Sequence, residues 1–119
     1  MSHGPKKLFV QQLTFLAEQD GSPERLLKSQ LSELFKTHTD IRAAFLATAS
    51  IGQPAAASVV LCLRGKPQSP TDLLQKIDKI FASIFGPKEH LDILFVDDQL
   101  EEKVARVCRP FFTARSPQQ

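Results

Sequence analysis

Three groups of residues carry side chains that could do chemistry. The first is Asp92, Asp97 and Asp98, close together at the end of the apolar stretch "HLDILFVDD". Carboxylates this near one another can bind a divalent cation or divide acid and base roles. Their placement favours a plainer use. Asp98 stands three residues before Glu101 at the start of a new apolar-periodic stretch, which is capping-box spacing, and the other two fall on a solvated edge. The second group is Cys62 and Cys108. A nucleophilic thiol needs a neighbouring base, cation or helix N-terminus, and Cys62 lies among Val59, Val60, Leu61 and Leu63, so it reads as a buried structural thiol. No Cys-x-x-Cys spacing occurs, and with three scattered histidines the cysteines make no metal pattern. The third group is Asp20, Gly21 and Ser22 in "EQDGSPERL". Free N–H groups at a helix start favour a carboxylate, and Asp20 could hold an ammonium group, so this turn is where a small amino acid would sit. Glu24 opposes that reading with its own negative charge, and Ser22 has a complete role as a helix cap. The expectation is no catalytic residue, no metal and no cofactor.

The elements that position these groups follow from periodicity and punctuation. Leu8 to Glu18 reads as a strand, with a bulge at Gln11 and Gln12. Ser22 caps a helix with Pro23 at its first position, and Leu27, Leu31, Leu34 and Phe35 share one face. That helix should end near Thr37 or His38. Ile41–Ser50 and Ala55–Leu63 read as an antiparallel hairpin about the Gly52–Pro54 turn. Ser69 and Pro70 open a second helix with an apolar stripe at Leu73, Ile77, Ile80 and Ile84, stopped by Gly86 and Pro87. His90–Asp98 reads as a buried strand. A short third helix follows, apolar at Leu100, Val104 and Val107 and ended by Pro110. The order βαββαβ plus a helix predicts an α+β, ferredoxin-like antiparallel sheet with two helices on one face and a short C-terminal helix. One domain over residues 8–112 accounts for the pattern, with residues 1–7 and 113–119 as flexible tails.

Strict alternation assigns the faces of that sheet. Phe9, Phe15, Phe45, Val59, Leu61, Ile93 and Phe95 should meet the two helices. Ala44, Leu46, Val60, Cys62, Leu94 and Val96 should lie on the opposite face, which is then apolar where water would call for polar residues. A helix of about ten residues covers such a face only in part. Exposed apolar area of that kind marks an interface. The expected interface residues are these six with Arg42, Phe111 and Phe112. A two-fold homodimer is the expected assembly, or failing that a complex with another protein.

Composition bounds the partners further. The chain has 119 residues, enough for one core, and is 42% hydrophobic and 24% charged. The net charge of +2 is small and its cations are scattered, which argues against nucleic acid. "KKLFVQQL" matches the short first signature of an RNA recognition motif, where Phe9 would stack on a base. The third strand, "AAASVVLCL", supplies no second ring. Each missing stack removes about 1–3 kcal/mol, so Phe9 is assigned to the core or an interface. No apolar run reaches the roughly 18–20 residues of a membrane span, and no signal peptide is legible. A cytoplasmic protein with reduced thiols is expected.

Three stretches resemble a known family. "LSELFKTHTDIRAAFLATAS" is similar to the C-terminal domain of the bacterial enhanced-serine-sensitivity (SseB-type) family, in which a helix, a short polar stretch and a strand of the form Ile/Val-Arg-x-Ala-Phe/Tyr-Leu follow one another. Here that strand is Ile41, Arg42, Ala43, Ala44, Phe45 and Leu46. "HLDILFVDD" resembles a second family strand. "RPFF" resembles the family's terminal Pro-Phe-Tyr, with Phe112 in place of the tyrosine. None of the three is a catalytic signature. The resemblance implies a fold relative, in a family named for sensitivity to serine, and no mechanism; with the apolar sheet face, the expectation is a non-enzymatic interaction domain connected with sensitivity to serine or other amino acids. The alternative is an amino-acid-binding regulatory domain of the ACT type, which shares the βαββαβ order and places its ligand near the turn at Asp20–Ser22.

Overall fold

The computed structural model describes residues 13–51, 56–89 and 91–114. The elements are β1 (Leu13–Glu18), α1 (Ser22–Lys36), β2 (Ile41–Ile51), β3 (Ala56–Gly65), α2 (Pro70–Phe85), β4 (Asp92–Phe95), α3 (Asp98–Ala105) and β5 (Phe112–Thr113). The predicted α+β order is there, with β5 added. Phe9 and the bulge expected at Gln11 and Gln12 lie outside the described residues. A bulge does occur in β1, at Leu16, where the register with β2 shifts between Phe15 and Ala17.

The sheet is not antiparallel throughout. Its strands run in the order β1-β2-β3-β4, with β3 and β4 parallel. A ferredoxin-like sheet would place the last strand beside the first. Both arrangements use the same element order, because a helix of 16 residues can return the chain along either edge of the sheet. β4 is therefore a short edge strand, partly exposed along its length, and not the buried strand read from residues 90–98. β2 carries β3 along one side. Its other side is shared end to end, by β1 over Ala47–Ile51 and by β5 over Ala43 and Ala44. Thr113, expected in a flexible tail, is thus part of the sheet.

Helices α1 and α2 pack on one face, as predicted. Leu27, Leu31 and Phe35 of α1 and Leu73, Ile77 and Phe81 of α2 recur every four residues, so each set forms one ridge. They bury Ile41, Ala44, Leu46, Leu61 and Leu63. This corrects the face assignment. Ala44 and Leu46 lie under the helices, while Phe45 faces the opposite side with Ala43, Ala47 and Ala49. The cause is a second bulge. The β2–β3 register shifts between Ile41 and Ala43, so Arg42 has no partner across the ladder and the alternation inverts there. Ile41 and Ala43, two residues apart, point to opposite faces.

The second face is covered within the chain. Val104 of α3 and Cys108 pack on Phe45, Val60, Cys62 and Val96, with Leu94 and Leu100 at the margin. Eight residues of helix suffice because β2 offers alanine at positions 43, 47 and 49 on this side. Small side chains leave little apolar area to cover and let the helix approach closely. Arg64 anchors the start of α3 through ion pairs to Asp98 and, at 3.7 Å, to Glu101.

Candidate functional site

Three local irregularities meet at one end of the sheet. The first is the bulge that turns Arg42 out of the ladder. Its carbonyl accepts from the Ala114 N–H at 2.8 Å, so the backbone there is fixed while the side chain is exposed. The second is Gly65, at φ +143°, packed against the Asp40 carbonyl so closely that a Cβ would come within 2.1 Å of the oxygen. Only glycine allows that approach. It brings Arg64 and Lys66 beside Asp40 and Arg42. The third is the start of α3. Asp97, not Asp98, is the N-cap and accepts the Leu100 N–H at 2.9 Å. Asp98 is thereby free to pair with Arg64, and Glu101 faces Arg64 instead of closing a capping box.

Between them lies an open groove of about 860 Å³, lined by Asp40, Arg42, Arg64, Lys66, Phe95 and Asp98 among others. A second groove of about 730 Å³ adjoins it and shares Thr39 and Ala114. This one is more apolar, with Phe35, Ile41, Phe111 and Phe112 in its walls. Its aromatic rings pack together, with Phe35 centred 5.6 Å from Phe112 and 6.4 Å from Phe111. Ile41 and Arg42, Phe95–Asp98, and Phe111 and Phe112, remote in sequence, all contribute to this end of the molecule. Of the expected interface residues, Arg42, Phe111 and Phe112 are brought together here and remain at least partly accessible, and Leu94 is half-buried on the second face. Ala44, Leu46, Val60, Cys62 and Val96 are buried inside the chain and present nothing to a partner. Sequence reasoning missed Arg64, Lys66 and the exposure of Phe95. A signal existed in "RGK", a glycine between two cations at a strand end.

The turn at Asp20–Ser22 is differently employed. Asp20 accepts from Lys28 at 3.0 Å and from Arg25 at 3.4 Å. The Lys28 hydrogen bond, foremost, holds the Asp20 carboxyl below its usual pKa. An ammonium ligand would have to displace these cations. Gly21, not Ser22, is the N-cap of α1, and Pro23 follows in its first turn. Lys28 is buried and also reaches Glu18 at 3.3 Å, while Glu18 accepts the Arg109 N–H at 3.2 Å. The cluster joins β1, α1 and the segment after α3.

Both cysteines are free and buried in the core beneath α3. Burial, with the neighbouring Cys108, pushes the Cys62 thiol up to about 12. Burial, with Glu18, raises Cys108 to about 11. Neither is a thiolate at neutral pH. Among the described residues, no histidine or cysteine lines either groove. Among the described residues, no three of His, Cys, Asp and Glu gather where they could hold a metal ion, and no helix is long and apolar enough to cross a membrane.

Comparison with known proteins gives one match, to the family model described as the SseB protein C-terminal domain, over residues 12–114. No curated protein and no solved structure matches the chain.

Proposed function

We propose that this chain, which belongs to the SseB C-terminal domain family, is a non-enzymatic interaction domain that docks a protein partner in the groove at the end of β2, β3 and β4. The observation that carries this reading is Phe95. Its residue is 37% exposed, in the same groove as Arg42 and Arg64. Burying a phenylalanine fully is worth about 1.5–3 kcal/mol, and the part of this ring that folding leaves open lies in the groove, where a partner would cover it. Aromatic and arginine side chains are the types that dominate binding energy at interfaces. The groove joins them to the apolar walls of Phe111 and Phe112 next door. The free thiols of Cys62 and Cys108 support a reducing compartment such as the cytoplasm.

A second copy of the chain is the less favoured partner. The sheet face that suggested a dimer is occupied by α3. A monomer of 13.2 kDa in light scattering is the expected result. A dimer that Phe95→Ala dissolves would make the second copy the occupant of the groove.

The direct test is to isolate a bound protein from the cells that make the chain and measure its affinity after purification. Phe95→Ala should weaken binding about tenfold or more with the melting temperature unchanged. A partner bound equally well by this variant, or no partner retained at micromolar concentration, overturns the proposal.

A further inference from the structure

We infer that the segment this groove receives is acidic, with a large apolar side chain beside its carboxylates. The inference rests on the docking role proposed for the groove and adds the chemistry of its partner. It begins from which charges the fold has already used. Asp98 is paired with Arg64. Asp97 caps α3 through the Leu100 N–H. Asp40 accepts the Gln68 N–H at 3.2 Å. Each of the three groove carboxylates is thus held by a donor of the chain itself. The cations are not matched in the same way. Among the described residues, neither the Arg42 guanidinium nor the Lys66 ammonium has an ion-pair or hydrogen-bond partner. Arg64 keeps one nitrogen, Nη1, buried without a hydrogen bond, 3.7 Å from Glu101. The groove therefore keeps two cations with no partner among the described residues, while each of its carboxylates already holds one donor through one oxygen.

A segment entering the groove strips water from Arg42 and Lys66. A neutral segment would leave them desolvated and unpaired, which is costly, and a basic one would add repulsion. An acidic segment replaces the lost water with charge-assisted hydrogen bonds, and the planar fork of Arg42 can take a carboxylate through two of them. The Arg42 backbone is already fixed by Ala114, so only the side chain must be ordered. The apolar half of the requirement comes from Phe95 and from the adjoining walls of Ile41, Phe111 and Phe112. The chain's net charge of +2 is small and its cations are scattered, a weak hold on a polyanion, which is why the occupant assigned is a peptide segment.

Selection from a random peptide library, with the full chain as bait, tests the inference. Enriched sequences should carry Asp or Glu beside Leu, Ile, Phe or Trp. They should bind about threefold to thirtyfold more weakly to the Arg42→Ala/Lys66→Ala double variant and more weakly at high salt. That variant should melt with the wild type, since neither side chain has a partner in the fold. Two results would overturn the acidic assignment yet leave the docking groove standing, as long as Phe95→Ala still weakens binding about tenfold or more. One is enrichment of neutral or basic sequences, and the other is acidic sequences bound equally by the double variant. Displacement of the selected peptides by poly(U) RNA at about 150 mM salt, where exposed charges are already screened, would assign the cations to a polyanion and also overturn it. If no peptide is enriched that Phe95→Ala releases, the docking role itself falls.

Discussion

Gly65→Ala should be among the most damaging small substitutions in the chain, and its magnitude can be worked from the groove. The new Cβ would lie 2.1 Å from the Asp40 carbonyl oxygen, 3.0 Å from Ile41 Cα and 3.1 Å from the Asp40 carbonyl carbon. Comfortable carbon–oxygen contacts begin near about 3.3 Å. All the obstructing atoms are backbone, so no rotamer change relieves the overlap. Either β3 or the Asp40–Arg42 segment must move by about 1 Å. That segment is tied by the Ile41 N–H to the His38 carbonyl at 2.9 Å, by Gln68 to Asp40, and by Ala114 to Arg42. Losing two of these at about 1 kcal/mol each, with strain at φ +143° of about 1–3 kcal/mol, gives a total near 3–5 kcal/mol. Against a whole-domain stability of about 5–15 kcal/mol, this lowers the melting temperature by roughly 15 °C or more. Gly86→Ala is the internal control. Gly86 also has positive φ, +95°, but a Cβ there meets nothing within 4 Å, so only dihedral strain of about 1–3 kcal/mol remains. Urea and thermal unfolding of both variants separate the clash from the strain. If Gly65→Ala melts within a few degrees of Gly86→Ala, the close packing of Gly65 on Asp40 is not what holds this end of the sheet together.

Other perturbations probe the remaining joints. Lys28→Met keeps the apolar stem but removes the ammonium from Glu18 and Asp20. The depressed carboxyl of Asp20 stabilises the fold at neutral pH and loses that contribution as pH falls below about 4, so wild type should lose more stability on acidification than the variant, and parallel stability–pH curves would refute the coupling. Val104→Asn should cost about 2–4 kcal/mol and expose the sheet face beneath α3, producing more concentration-dependent self-association than wild type shows; a destabilised variant that associates no more than wild type would show that this face is not adhesive. Cys62 and Cys108 should react with a thiol reagent near pH 8 only after denaturant is added, because both native thiols titrate near 11–12; prompt labelling of the folded chain would contradict their burial.

Much of the fold was legible because its signals are repetitive. The helical spacing of Leu27, Leu31 and Phe35, and of Leu73 and Ile77, identified both helices and the faces they bury, although Ile80 and Ile84 of the predicted stripe are only partly buried and Phe81 completes the ridge. Punctuation by Ser69–Pro70 and Gly86–Pro87 set the ends of α2. The neighbours of β4 were not legible. Element order is the same whether the strand returns beside β1 or beside β3, and nothing local in "LDILF" chooses between them. The phase of β2 failed for a different reason. Alternation carries a face assignment along a strand until one extra residue intervenes, and the bulge at Arg42 is one such residue. Ala44, Phe45 and Leu46 all lie beyond Arg42, and each was therefore assigned to the wrong side.

The same bulge explains why the groove was invisible while its parts were not. Arg42, Phe111 and Phe112 were all read from the sequence as interface residues, on the premise that they fringed an apolar sheet face awaiting a partner. With the phase corrected, the large apolar residues of β2 divide between two covered faces, and the alanines at 43, 47 and 49 make the second one coverable by eight residues of α3. What remains for a partner is the end of the sheet, where alternation stops. That end is built from an unpaired bulge residue, a glycine at positive φ and a capped helix start. Each departs from periodicity, and periodicity is what exposes structure in a lone sequence. Each also releases a side chain from the packing rules that fix its neighbours. Arg42 is freed from the ladder, Lys66 follows the turn at Gly65, and Phe95 ends a strand where its cover runs out. A fold that needs all its regular positions for two cores has only its irregular ones left for recognition, and here the irregular ones converge.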